Sequence, residues 1–261
     1  MPNRTERTEH SFRVDLNADL GEGGAFDAQI LSFVSSANIA CGGHTGDHDS
    51  MRLALQQAQE KQVVVGAHPS FVDSLHFGRV TQDFDAGDDA AFDTLYEQLC
   101  EQVQTLMQIA APLHIKLAHL KPHGALYNQA AQHPQLGQVL IRVIQTCDPT
   151  LHLVCLAGSP LVAQARLAGL LVREEAFADR AYLADGSLVP RNQPRACLEN
   201  DFDVLTQSLL IIEKNQIRAI DGTIFKLKAD TLCLHGDGEH ALHLVRTLHS
   251  AFTERGIAIQ A

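Results

Sequence analysis

Residues 35–69 read SSANIACGGHTGDHDSMRLALQQAQEKQVVVGAHP, and the order of patterns in them decides the architecture. A short apolar run at 36–40 leads into Gly42, Gly43 and Gly46, which let the backbone turn tightly or come close to a ligand. Met51, Ala54, Leu55 and Ala58 then recur at i, i+3, i+4 and i+7, one face of an amphipathic helix. A β-branched run at 63–67 follows and stops at His68-Pro69. Strand, glycine loop, helix and strand in that order make a unit of parallel sheet.

The same alternation extends in both directions. Further strand candidates lie at 14–17, 115–121, 151–156, 170–174 and 231–235, each bounded by Gly, Pro, Asp or Asn. Between them, Phe92, Leu95, Leu99, Val103, Leu106 and Ala110 form one helical stripe, and Leu136, Val139, Leu140 and Val143 another. At 219–227 the alternation is broken by a hairpin, read as turning through Asp221-Gly222 in a tight primed turn. The expected fold is α/β, with residues 1–12 a flexible polar arm and 13–261 a single (β/α) barrel domain of about seven units.

Composition removes several classes of function. With 31 acids against 20 Lys and Arg, a net charge of −11, the chain has no basic footprint for nucleic acid. No apolar run approaches a membrane span, and the N-terminus has no apolar leader core. The six cysteines show no CxxC spacing and read as reduced thiols, which implies a cytoplasmic protein. Neither GxxxxGK[ST], GxGxxG nor GxSxG occurs, so no nucleotide cradle or serine nucleophile is recognisable.

Chemistry collects where strands end, which is where parallel βα folds place their sites. Asp15, Asn17 and Asp19 share one side of the first strand, with Glu22 just beyond. Three polar positions on one side cannot be ordinary apolar core. Asn38, His44 and Asp47 follow the second strand, with Asp47 or Asp49 also readable as the cap of the next helix. His68 ends the third strand and Arg79 lies in the loop after it. Lys121 and His123 end the fourth, and an ammonium on a barrel strand is costly to bury without a partner and is rarely there for structure alone. Asp179, Arg180 and Arg191 sit on a long connection able to cover a site. Lys228 precedes the last strand, and His235 and Asp237 end it. We read Asp19, Glu22, His44, His68, Lys121 and His123 as catalytic candidates. Asp15, Asn17, Asn38, Asp47, Arg79, Asp179, Arg180, Arg191, Lys228, His235 and Asp237 are read as substrate-binding.

The stretches VDLNADLGEG, SSANIACGGHTGD, VGAHPSF, LKPHGALYN, EAFADRAY, LVPRNQP and LKADTLCLHGD together resemble the LamB/YcsF family, the A component of ATP-dependent 5-oxoprolinase. They run in the family's order from residue 13 onward. Ala18 stands where the family often has Cys, and Val80 where a second arginine is usual. The resemblance implies a seven-stranded barrel like those of glycoside hydrolases and sugar deacetylases. It also implies cleavage of 5-oxoproline to L-glutamate coupled to hydrolysis of ATP, with Mg2+ accompanying the nucleotide, and B and C subunits for partners.

Two other readings fit the residues. In a metal-dependent deacetylase-like hydrolase, Asp15, Asp19, His44 and His68 would hold a divalent ion that activates water. In a non-catalytic subunit, the same pocket would only bind substrate for a partner.

Overall fold

Apolar residues at alternate strand positions, among them Leu16, Ala18, Leu20, Ala37 and Ile39, are buried in one large cluster together with the helical stripes. The computed structural model describes residues 12–85, 87–234 and 238–261. Its barrel strands are β1 (Arg13–Leu20), β2 (Ser36–Ala40), β3 (Val64–His68), β4 (His119–Leu120), β5 (His152–Leu156) and β6 (Val172–Phe177). After the hairpin β7 (Gln216–Arg218) and β8 (Ile224–Lys226), β9 (Thr231–Cys233) completes the set. All neighbours pair in parallel, and β1 bonds to β2 on one side and β9 on the other, with Asn17 opposite Ser36 and Asp15 opposite Thr231. The sheet is therefore a closed barrel of the expected seven strands. A short C-terminal strand, β10 (Ala258–Ile259), extends only the start of β1.

Helices α1 (Asp27–Ile30), α2 (His48–Glu60), α3 (Asp89–Ala110), α4 (Gly124–Ala130), α5 (Pro134–Cys147), α6 (Pro160–Leu167), α7 (Asp201–Lys214) and α8 (Glu239–Glu254) fill the connections. Every stripe residue named above is buried. No helix of the described residues is long and apolar enough to cross a membrane. Of the expected N-terminal arm, residues 1–11 lie outside the described residues. The carbonyl of Phe12 already accepts a hydrogen bond from the Ala258 amide.

Three local expectations shift. The strand expected at 115–121 shortens to β4, because the chain leaves α3 through a 3-10 turn (Ala111–Leu113) and a left-handed His114. Ile115 is apolar because it packs against the core, not because it pairs. The strand expected at 170–174 slides to β6, since the Leu170 amide is used to close the end of α6 on Ala165. The hairpin forms, but its turn is wider than expected. Gly222 N–H donates to Ala219 O, Ala219 N–H donates to Thr223 O, and Gly222 alone of the turn has positive φ (+91°). A primed two-residue turn needs positive φ at both central residues, whereas a three-residue loop needs one glycine after an ordinary turn.

Barrels of this kind usually fill their lumen with branched apolar side chains. This one is crossed by hydrogen bonds. His119 Nε2–H donates to Asn38 Oδ1 (2.7 Å), Asn38 Nδ2 donates to Asn17 Oδ1 (2.8 Å), and Asn17 Nδ2 donates to Glu175 (3.0 Å) and Thr231 (2.7 Å). Glycine at position 66 makes room, since a Cβ there would overlap the His119 ring. His119 Nδ1 is buried without a partner. Burial, then the charges of Arg173 and Lys121, push this imidazole down to about 3.

That shift has a sign. The unfolded chain takes up a proton at His119 below about pH 6.5, and the folded chain does not until about 3. Stability should therefore fall as pH falls through this window, by up to about 1.4 kcal/mol per pH unit. Urea midpoints measured near neutrality and about two units lower should converge in His119→Gln. Equal slopes in variant and wild type would refute the assignment.

Candidate active site

Parallel strands deliver their last side chains to one rim, and here that rim gathers the chemistry. Asp19 lies near the end of β1 and Glu22 in the turn after it. His44 comes from the glycine loop after β2, His68 ends β3, and Lys121 and His123 follow β4. Glu22 Oε1 is 3.0 Å from His44 Nε2, 3.2 Å from His123 Nδ1 and 3.7 Å from His68 Nε2. His44 and His123 stack face to face, their centroids 3.6 Å apart. Burial alone would raise the Glu22 carboxyl, but the imidazoles of His123, His44 and His68 around it hold it well below the usual carboxylate range. Burial pushes His44 down to about 4, against the pull of Glu22, and lowers His123 as well. Burial also opposes the charge on His68, but Asp19 and Glu22 raise it overall.

Lys121 is the second focus. Its Nζ lies 2.9 Å from Asp19 Oδ1, 2.9 Å from Glu175 Oε1 and 3.1 Å from Cys233 Sγ, with only 2 % of the side chain exposed. Burial disfavours the ammonium, but the carboxylates of Asp19 and Glu175 more than compensate, so it stays charged far above neutrality. Cys233 is pushed the other way by burial and remains a thiol.

Above both foci opens a cavity of about 850 Å³, with Asp19, Glu22, His68, Lys121 and His123 on its floor. Arg79, Arg180 and Arg191 line its wall. A model of the LamB/YcsF family matches residues 14–261. The chain belongs to that family. It is similar, at 35% identity and a TM-score of 0.86, to the lactam utilization protein of Thermus thermophilus, the match covering 95% of this chain and 99% of that one. A candidate cellobiose-phosphate cleavage protein of Enterococcus faecalis shares the fold alone, at 14% identity and a TM-score of 0.56, over 95% of this chain and 97% of that one.

In this LamB/YcsF chain the other expected residues divide. Asn17 and Asn38 lie beneath the site, in the polar lumen. Arg79 stands over the Phe77 ring at 4.8 Å. Arg180 is buried and ties down the long loop, its Nε donating to Ala196 O (3.2 Å) and its Nη2 to Val189 O (2.6 Å). Arg191 is exposed beside it. Asp179 is buried at the start of that loop, where its carbonyl accepts from Leu198 N–H.

Three expectations are corrected. Asp15 lies at the opposite end of the lumen, accepting bonds from the Ser35 and Ser36 hydroxyls and facing Arg173 at 3.4 Å. Asp47 is exposed and forms a capping box with Ser50 at the start of α2, so it is the cap in place of Asp49. Lys228 is exposed before β9, where strands enter the barrel. His235 and Asp237 lie outside the described residues.

The metal set expected from Asp15, Asp19, His44 and His68 fails for the same reason of place. Asp15 is at the wrong end, and both His44 nitrogens are occupied, by Ser70 Oγ (3.0 Å) and Glu22. The group whose donor atoms converge is Asp19, Glu22, His68 and His123, all within 4.8 Å of one another. Sequence reasoning missed Glu175 and Tyr127. Two acids at a strand's end, Glu174 and Glu175, were the available signal for the first, because alternation turns one of them inward. Tyr127 lines the cavity from α4 and carried no pattern of its own.

Proposed function

We propose that this chain is the A component of an ATP-dependent 5-oxoprolinase, opening 5-oxoproline to L-glutamate as ATP is hydrolysed to ADP and phosphate. The observation that carries the reading is the pairing of a buried, charged Lys121 with a depressed-pKa carboxylate, Glu22, on one cavity floor. Kinship with a protein of lactam utilization points the same way.

A lactam is a stable amide, and phosphorylation of its carbonyl oxygen makes the ring carbon electrophilic. Lys121 is placed to neutralise charge on that oxygen, since a preformed cation in a dry site needs no reorganisation as charge develops. Water adding to the carbon gives its proton to Glu22, which its three imidazole neighbours keep ionised. Arg191 holds the substrate carboxylate at the wall, where a planar guanidinium pairs in two-point fashion, and Arg180 fixes the loop that carries it. No phosphate cradle is recognisable in the chain, so the B and C subunits complete the site for ATP and its Mg2+. The free thiols fit a reducing cytoplasm.

The test is 5-oxoproline turnover by this chain alone and with its partners, with and without ATP. Glutamate and phosphate should form in equal amounts only in the complete mixture with ATP. Ring opening without ATP, or none in the complete mixture, overturns the reading. Arg191→Ala should raise KM for 5-oxoproline about tenfold or more, as loss of a charge-assisted bond does, while leaving the melting temperature in place.

A further inference from the structure

The two histidines at the centre of the rim have their protonation fixed by what lies behind them. His68 Nδ1 is 2.7 Å from the carbonyl of Lys121, and His123 Nε2 is 2.9 Å from the carbonyl of Phe77. A carbonyl oxygen only accepts, so each of these nitrogens carries a hydrogen and donates it. The remaining nitrogens, His68 Nε2 and His123 Nδ1, are then bare in the neutral rings, and they face each other at 3.0 Å. Glu22 Oε1 and Asp19 Oδ2 point at the same spot, 3.2 Å from His123 Nδ1 and 3.4 Å from His68 Nε2. Four lone-pair atoms converge, and no donor hydrogen of a neutral ring lies among them. The point between them requires a positive charge.

We infer that this point is a site for one divalent first-row metal ion of the Zn2+ type, held by His68 Nε2, His123 Nδ1, Glu22 Oε1 and Asp19 Oδ2. The spacing suits it. Ligand atoms about 2.0–2.1 Å from a tetrahedral ion lie roughly 3.3 Å apart. The separations here are 3.0, 3.2, 3.4 and 3.7 Å. Both imidazoles and Asp19 are also steadied from behind, as ligands of bound metals are. Carbonyls hold both imidazoles and Lys121 Nζ holds Asp19 Oδ1, while His44 Nε2 lies 3.0 Å from the ligating oxygen of Glu22 itself. Two imidazoles with two carboxylates are a borderline set that favours zinc and its neighbours over magnesium. The donors line the open cavity, so an ion has a path in. The site does not depend on lactam opening, and its test needs no substrate.

Chelator-stripped chain is equilibrated with Zn2+ and passed through a desalting column, and metal per chain is counted. One ion per chain is expected, with Co2+ in its place giving the intense visible bands of a four-coordinate ion. Glu22→Gln and His123→Gln, each checked for native circular dichroism, should weaken Zn2+ binding about tenfold or more. Lys228→Ala, at the far end of the barrel, should bind as wild type. Wild-type chain that leaves the column without zinc, or ligand variants that bind undiminished, overturns the site and leaves a single shared proton between the rings. A chain that binds metal but fails in the complete 5-oxoproline mixture retires the proposed function and keeps the site.

Discussion

Lys121→Met should cut ATP-dependent ring opening by about 10²–10³-fold and cost the fold about 3–5 kcal/mol. Both effects follow from one position. The ammonium touches Asp19 and Glu175 at 2.9 Å each, and Glu175 is completely buried. Methionine fills the same volume but leaves the Asp19 and Glu175 carboxylates without their cation, Glu175 fully buried. Removing one partner of a buried pair is costly because the other charge stays behind. The loss of rate has a different origin, the absence of a fixed positive charge where the substrate oxygen becomes negative. Denaturant melts and turnover in the assembled complex read the two separately. A variant that melts early yet turns over at the full rate would take Lys121 out of the chemistry and leave it a structural ion pair.

Glu22→Gln should lower turnover by about 10²–10⁴-fold, the usual contribution of a positioned base, and should also lower the melting temperature, because the fold favours the charged carboxylate. The amide oxygen still accepts from His44, so the local hydrogen bonds survive. What disappears is the basic site. Raising the pH should not restore the rate, because an amide has no proton to lose. Loss of less than about tenfold would be too small for a positioned base and would shift the role to one of the neighbouring imidazoles.

Much of this was legible in the sequence, for a local reason. Strands that feed loops are punctuated by Gly, Pro and Asp, so Asp19, His44, His68, Lys121 and His123 could be placed at strand exits one by one. Periodicity found the helices, since burying a stripe is the same requirement in every helix. What failed needed distance along the lumen. Asp15 and Asp19 share one side of β1, but four residues of strand carry the chain roughly 13 Å, from one end of the barrel to the other. Glu174 and Glu175 are equivalent in sequence until pairing sets the register. With Leu156 opposite Glu175, that carboxylate turns in to Lys121, while Glu174 meets Arg166 at the rim. Asp47 went to a cap because a helix start competes for the nearest acid, and the competition is settled by backbone angles that composition does not record.

The closure of the barrel also bears on how the chain is made. Of the described barrel strands β1 is made first, yet one of its two barrel neighbours, β9, begins at Thr231, and β10 beside it begins at Ala258. Until nearly all of the chain has emerged, β1 has an unpaired edge, and the lumen beside it is lined with Asn17 and Asp19 and open to water. Contacts so distant in sequence form slowly, and open edges invite pairing with other chains. The nascent protein therefore passes through synthesis as an incomplete ring, most vulnerable to misassociation just before its last strands arrive.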